Sequence, residues 1–197
     1  MMSVIADEGD DRETDVRARM VRSAALLFGE RGFAGAGLRD VVADSGAPRG
    51  SIYHYFPGGK AQLAQEAAQL AAASVAEPAE AKLDPIAALH AGLDAWRSAL
   101  TASDFRAGSA LAAAATAPED ATGAREAAAT GYARWSDALT AALRESGVRR
   151  KRAARLATVA MASIEGAVVL CRARRDTAPL DDIGRELEAA FEAAQRR

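Results

Sequence analysis

The segment LRDVVADSGAPRGSIYHYFPGGK, residues 38–60, carries the pattern from which the architecture of this chain follows. It predicts a helix of about two turns from Leu38 to Gly46, because glycine readily adopts the left-handed conformation that ends a helix. A second helix is predicted from about Pro48 to Phe56, since the fixed φ of proline suits the first turn of a helix. Two short helices joined by a tight turn predict a helix-turn-helix motif.

A third helix is predicted upstream, from Val16 to Arg31, with apolar residues such as Met20 at steps of three and four. It can cover the apolar faces of the other two helices. In the second short helix, Ile52 and Phe56 are four residues apart and are expected in the core, so their neighbours face partly or wholly outward. The outward set comprises Arg49, Ser51, Tyr53, His54 and Tyr55.

The rest of the chain also reads as helical. Half of the residues are apolar and only 5% are aromatic, a composition typical of closely packed helices. We therefore expect an all-α protein of nine helices without a strand. The remaining predicted helices run from about Lys60 to Val75, Pro85 to Thr101, Asp104 to Thr116, Ala124 to Glu145, Arg149 to Arg174 and Pro179 to Gln195. The predicted parts are an acidic disordered tail at 1–15, a helix-turn-helix domain at 16–60 and a second helical domain at 61–197.

Charge is distributed unevenly, although the net charge is only −2. Residues 1–15 contain one basic residue and six acids, whereas residues 16–60 contain seven basic residues and three acids. The predicted helix-turn-helix domain is therefore basic, and Lys and Arg supply most of the non-specific affinity of proteins for DNA. A solvated charged face is equally consistent with the charge count alone.

Several other functions are disfavoured by the sequence. Cys171 is the only cysteine, and His54 and His90 have no companions at metal-ligand spacing, so neither a disulfide nor a metal site is expected. No nucleophile, base and orienting acid occur together and no cofactor motif is present, so neither an enzyme nor a bound cofactor is expected. The acidic N-terminus does not resemble a signal peptide and no run of about 18 apolar residues occurs, so we expect a cytoplasmic protein without membrane contact.

The outward residues have the chemistry of a DNA-reading surface. Hydroxyl and basic side chains bond phosphate oxygens, and residues at the start of a helix in the major groove contact base edges. Arg49 and Ser51 are expected at those leading positions. Lys60 is predicted in the first turn of the next helix, where a DNA phosphate would offset its unfavourable interaction with the helix dipole. The alternative for Tyr53 and Tyr55 is that their rings pack and only their hydroxyls contact water.

The stretch FGERGFAGAGLRDVVADSGAPRGSIYHYFPGGKAQL resembles the N-terminal domain of TetR-family repressors, and its second half is most similar to the LmrA/YxaF branch. The resemblance is strong over about residues 16–65 and weaker beyond. It implies a homodimer that binds a palindromic DNA operator and represses transcription until a small-molecule effector releases it. The DNA contacts that it implies are Arg39, Arg49, Gly50, Ser51, Tyr53, His54, Tyr55 and Lys60.

The sequence departs from the family pattern at two places. The helix before the reading helix usually begins with a Thr or Ser cap, whereas this chain has Ala36 and Gly37, with Asp40 three residues after Gly37. Glycine is an acceptable cap without a side-chain acceptor, so the phosphate contact of that hydroxyl does not carry over. The branch also often has cysteine where this chain has Ser109.

The resemblance further implies that helices from about Pro85 to Glu145 enclose an effector cavity. The large side chains available to such a pocket are Trp96, Phe105, Trp135, Leu139 and Met161, for each of which core packing is the ordinary interpretation. Glu165 lies in an apolar helix and needs a partner, which is either a cationic ligand or a polar group of the protein.

The last two helices are implied to form the dimer interface. They carry more apolar surface than a thin chain readily covers, at Leu156, Val159, Ile164, Val168, Leu170, Ile183, Leu187 and Phe191. The basic run from Arg149 to Arg155 is interpreted as a solvated helix start to which the sequence assigns no function. The main alternative function is an architectural or interaction protein that keeps the helix-turn-helix fold without reading a DNA sequence.

Overall fold

The computed structural model describes residues 5–81 and 84–196, and within them the chain forms nine α-helices and no strand, which confirms the predicted fold class. The helices are α1 (Ile5–Gly35), α2 (Leu38–Ser45), α3 (Ile52–Tyr55), α4 (Gly59–Glu80), α5 (Pro85–Ala102), α6 (Ala110–Ala115), α7 (Thr122–Glu145), α8 (Arg150–Arg174) and α9 (Ala178–Gln195).

Helix α1 begins at Ile5, eleven residues before the predicted start at Val16. Residues 5–15, for which the sequence predicted a disordered tail, are part of this helix in the structure, and residues 1–4 lie outside the described part. Gly32, with φ 71°, interrupts the helical backbone near the other end, where the sequence predicted a stop.

The turn between α2 and α3 is longer than predicted because α3 contains only four residues. Gly46 ends α2 in the left-handed conformation, as predicted. The predicted helical start at Pro48 is wrong, since the amide and the hydroxyl of Ser51 both donate to the Pro48 carbonyl and close a separate turn. Serine side chains that bond nearby backbone in this way compete with helix formation.

The first three helices share one core with α4, α6 and α7. Ile52 and Phe56 are both buried, as their four-residue spacing predicted, and they contact buried residues of α1 and α4. The larger members of this core are Met20, Leu27, Phe28, Val41, Ile52, Phe56, Leu63 and Leu111. Because these side chains point inward, the outer faces of α2 and α3 remain available to a partner.

Two further helix bounds differ from the prediction. Helix α4 continues through Pro78 to Glu80, where the sequence predicted an end near Val75. Helix α6 begins only at Ala110, because Asp104 and Phe105 have positive φ values of 52° and 59° and cannot continue a helix.

The second core lies between α4, α5, α7, α8 and α9. Leu156, Ile164, Val168, Leu187 and Phe191 are all buried in the chain's own interior, so the last two helices spare less apolar surface than predicted. Val159 and Leu170 remain exposed, together with Val169.

Helices α4 and α7 approach closely because alanine and glycine line their contact. An ideal Cβ placed on Gly131 of α7 would lie 2.5 Å from Cβ of Ala72 on α4 and 3.0 Å from Cδ1 of Leu111. The same atom placed on Gly92 of α5 would meet nothing within 4 Å. Both glycines lie inside helices, but only Gly92 has room for a side chain.

Replacing these glycines by alanine is expected to change stability in opposite directions. Gly131→Ala should lower the free energy of unfolding by about 1–3 kcal/mol through overpacking. Gly92→Ala should raise it by about 0.5–1 kcal/mol, because alanine is the better helix former. Urea unfolding followed by circular dichroism measures both values, and the same sign of change in both variants would contradict the packing described here.

Candidate nucleic-acid interface and the adjoining core

Helices α2 and α3 border a groove of about 730 Å³ on the surface of the small N-terminal core. Arg39 from α2, Arg49 from the turn and Tyr53 from α3 all line it. The two arginines are exposed, and the Tyr53 side chain is 68% exposed although it is large and aromatic. Three of the residues expected to contact DNA therefore meet at one concave, cationic surface.

The other expected contacts occupy different positions around this groove. Gly50 is exposed in the turn, and Ser51 is half-buried with its hydroxyl donating to the Pro48 carbonyl at 2.7 Å. His54 is exposed, and its ring meets Tyr55 edge-on at 5.2 Å between centroids. Tyr55 is half-buried and packs on the core, so the packing interpretation fits Tyr55 but not Tyr53.

Lys60 lies one residue into α4 and is partly buried by two phenylalanine rings. Its Nζ is 4.5 Å from the ring centroid of Phe33 and 6.0 Å from that of Phe28. Partial burial lowers the pKa of Lys60 from its usual value, and the negative charge of Asp40 opposes this shift. The aromatic rings therefore position the ammonium group beside the start of α4 by cation–π attraction.

The start of α2 shows what replaces the missing hydroxyl cap. Gly37 occupies the cap position, and its amide donates to Oδ2 of Asp40 at 2.8 Å. This is one half of a capping box, since glycine has no side chain with which to return the bond. Asp40 also lies 3.8 Å from Arg31, which ties α2 to the end of α1.

Arg172 joins α8 to the N-terminal domain, and sequence reasoning did not single it out. Its guanidinium donates to the carbonyl of Gly29 at 3.2 Å and to that of Glu30 at 2.6 Å. These carbonyls stand in the last turn before the non-helical backbone at Gly32. An arginine is suited to this place because its planar fork reaches two acceptors at once.

The segment between α5 and α6 completes the same junction. Gly108 packs directly on Gly29, since a Cβ built on either residue would collide with the backbone carbonyl of the other. The Arg175 guanidinium donates to the Asp104 carboxylate at 2.5 Å, and Arg106 lies 3.7 Å from Glu30. Three non-glycine residues with positive φ, namely Asp104, Phe105 and Arg175, meet here, which marks a junction held under backbone strain.

Glu165 of α8 has two partners within the protein. Its Oε1 accepts one hydrogen bond from the Tyr132 hydroxyl at 2.8 Å and one from the Ser109 hydroxyl at 2.9 Å. Burial raises the pKa of Glu165, and the two hydroxyls act against that shift. Ser109 also accepts from the amide of Ala112 as the cap of α6, so the carboxylate links α7 and α8 to the start of α6.

The expected pocket residues do not share one cavity. Trp135 and Leu139 line a small internal cavity of about 40 Å³ between α4, α5, α7, α8 and α9. Trp96 and Met161 pack at the edge of the same core. Phe105 lies apart, in a surface pocket that Glu30 and Arg172 also line. The guanidinium of Arg175 lies over its ring, 5.9 Å from the ring centroid.

Two family models match this chain, one over the N-terminal helices and one over the C-terminal helices. Residues 21–67 match the model for bacterial regulatory proteins of the tetR family, and residues 85–186 match the model for the C-terminal domain of LmrA/YxaF-like transcriptional regulators. An uncharacterised helix-turn-helix regulator of Mycobacterium tuberculosis is 41% identical over 177 residues, which cover 87% of this chain and 91% of that protein. The regulator LmrA of Bacillus subtilis is 33% identical, over 84% of this chain and 91% of its own length.

Solved structures show the same fold. A TetR transcriptional regulator from Chloroflexus aurantiacus is 26% identical and superposes with a TM-score of 0.73, covering 92% of this chain and 96% of that one. The regulatory protein TetR from Rhodobacter sphaeroides superposes with a TM-score of 0.74 at 20% identity, covering 88% and 97% of the two chains.

Together the helix-turn-helix, the all-helical second domain and these relatives define a DNA-binding transcriptional regulator, not an enzyme. The chain belongs to the TetR family, and its C-terminal domain is of the LmrA/YxaF-like type.

The buried carboxylate predicts a stability change with a definite pH dependence. Because the pKa of Glu165 is raised in the folded state, its ionisation costs stability above that pKa, and the cost is absent below the ordinary glutamic acid pKa of about 4.3. Glu165→Gln keeps an oxygen that accepts both hydroxyl bonds. We expect this variant to resist urea better than the wild type at pH 7, by a margin that narrows toward pH 4.

Glu80→Gln is the matched control, because the Arg134 hydrogen bonds lower the pKa of Glu80. This variant should instead lose stability at pH 7, and the loss should fade as the pH falls through the carboxylate range. A Glu165→Gln variant less stable than the wild type at pH 7 would contradict the raised pKa.

Proposed function

We propose that the chain is a cytoplasmic repressor that binds a palindromic operator as a homodimer and is released by a small hydrophobic or drug-like effector. The observation that carries the DNA-reading part is the groove between α2 and α3, which is lined by exposed Arg39, Arg49 and Tyr53. The core beneath this groove is filled by other side chains, so these three are not needed for packing. A large exposed aromatic between two arginines has no role in packing. It has the chemistry to contact phosphates and base edges.

In this proposal each expected DNA contact has a defined part. Arg49 and Tyr53 meet bases and phosphates in the major groove, Arg39 reaches the phosphate backbone from α2, and Ser51 with His54 borders the contact. Gly50 allows the duplex to approach the turn closely. Tyr55 supports α3 through its packed ring. Lys60, held against the ring of Phe33, binds a phosphate.

Dimerisation is proposed to use the exposed face of α8. This helix is long and apolar enough by composition alone to cross a membrane, with a mean hydropathy of 1.6 over an 18-residue window, of which 39% is buried in the protein. One side of α8 builds the second core, while Val159, Val169 and Leu170 are 45–62% exposed on the outside. A second copy of α8 and α9 would bury this face and place two reading grooves in one assembly with two-fold symmetry.

The effector is proposed to enter the second core and to act on the reader through the junction. Trp135 and Leu139 already line its cavity, and Trp96 and Met161 are close enough to join an enlarged one. The present 40 Å³ is far below the 300–1,000 Å³ of a drug-sized site, so binding must separate helices. Glu165 and Phe105 then transmit the change, because they contact α6 and the segment that packs on α1.

Selection of bound duplexes from a random DNA pool at about 150 mM salt tests the reading function, because weak charge-driven binding is suppressed there. We expect the wild type to enrich one palindrome. Arg49→Ala should weaken binding to it by about tenfold or more, which corresponds to the ~1–3 kcal/mol of a bidentate base contact, and Tyr53→Phe should have a smaller effect through its lost hydrogen bond.

Arg185→Ala is the control, since Arg185 lies on α9 and pairs with Asp182. It should bind the selected palindrome as the wild type does. Enrichment of no sequence would overturn the proposal in favour of an architectural or interaction protein.

The dimer face has its own test. Val169→Asp should turn the dimer into a monomer in sedimentation velocity, and it should weaken operator binding because one reading groove replaces two. Leu26→Asp on α1 is matched in exposure, at 61% against 62% for Val169, and should leave the oligomeric state unchanged. A Val169→Asp variant that sediments as the wild type would place the dimer interface elsewhere.

A further inference from the structure

A second cationic surface lies at the start of α8, and the proposed function does not use it. Five basic side chains occur within seven residues, and all are exposed. With two alanines of α9 they line a groove of about 690 Å³, named here the basic groove. Its residues are Arg149, Arg150, Lys151, Arg152, Arg155, Ala193 and Ala194.

The charges of the basic groove have no counter-charge in the described part of the chain. None of the five side chains lies within 4 Å of a described carboxylate oxygen, whereas arginines elsewhere do, such as Arg134 with Glu80 and Arg175 with Asp104. The facing wall is formed by alanine side chains, which cannot neutralise a cation. The groove therefore presents about five positive charges to solvent in a chain whose net charge is −2.

This arrangement is unfavourable for the isolated chain. Basic residues three or four apart on a helix repel each other, as Lys151 and Arg152 do with Arg155. Cations in the first turns of a helix also oppose the helix dipole. A bound anion relieves both effects at once, so the free energy of anion binding includes the repulsion that it removes.

The dimensions of the basic groove favour a compact anion. The five residues span about 10 Å of helix length, at 1.5 Å per residue, and all of them border the same groove. A duplex instead meets cations spread over one broad face. A volume of about 690 Å³ is in the range of small-molecule sites, and the alanine wall can accept an apolar portion of the ligand.

From these observations we propose that the basic groove binds a small oligophosphate, meaning a compact anion with three or more negative charges. The site is separate from the DNA-reading groove, because Arg172 near the other end of α8 contacts the N-terminal domain and residues 150–172 span about 33 Å. Phosphate oxygens would accept hydrogen bonds from the guanidinium groups, and each such bond is charge-assisted.

Isothermal titration calorimetry of the full chain without DNA tests this proposal, with inorganic tripolyphosphate and ATP as separate probes. The wild type should bind at least one probe at submillimolar concentration, with an affinity that falls as salt is raised from 50 to 300 mM. Lys151→Gln combined with Arg152→Gln should weaken binding at least tenfold. Similar affinities for both probes would show that the phosphates alone are recognised. Tighter binding of ATP would show that the alanine side chains also contact the nucleoside. Either result supports the site.

The control removes the same charge elsewhere, by Arg125→Gln combined with Arg174→Gln, both of which leave the basic groove intact. This control should bind as the wild type does. Thermal melting supplies the second readout, since the groove variant loses repulsion and should melt no lower than the wild type, while only the wild type and the control should gain melting temperature when tripolyphosphate is added. Absence of binding to both probes, or equal loss in the groove variant and the control, would overturn the proposal.

Discussion

The arrangement of the two domains depends on the packing of α1 against α4 and α6, which the guanidinium of Arg172 reinforces at the carbonyls before the break in α1. The chain bends at Gly32, and the Arg172 guanidinium donates to the Gly29 and Glu30 carbonyls in the turn before that bend. Buried or half-buried carbonyls must be paired, and a cation near the C-terminal end of a helix is favourable to its dipole. One side chain from α8 meets both needs and thereby fixes the N-terminal domain against the helix that also bears the exposed apolar face. Together with the packing of α1 on α4 and α6, this bond holds the groove between α2 and α3 in a defined orientation relative to that face.

The sequence predicted those features that depend on local chemistry. Gly46 ended α2 as predicted, because a left-handed cap is a property of one residue, and Ile52 and Phe56 were placed in the core by their spacing alone. It did not predict the junction, since Arg172 meets Gly29 across more than 140 residues of chain. The shortness of α3 was also missed, because the Ser51 hydroxyl competes for the Pro48 carbonyl and no spacing rule records that competition.

Among the candidate site residues the same distinction holds. Exposure of Tyr53 and burial of Tyr55 could not be separated by sequence, since both flank one short helix and only the neighbouring core decides which ring is covered. Glu165 was recognised as needing a partner, but Tyr132 and Ser109 come from other helices and carry no local signal. The large side chains near Trp135 were expected to line a pocket, whereas alanine-rich helices close most of that space and leave about 40 Å³.

The contact between Gly29 and Gly108 has a mechanical consequence. Two side chains that touch across a domain boundary can change rotamer and absorb a displacement, but two backbones without side chains have no such freedom. A shift of the segment before α6 must therefore reappear at the end of α1 almost undiminished. We therefore expect the junction to act as a stiff linkage, so that a small movement in the second domain would be passed on to the proposed DNA-reading groove.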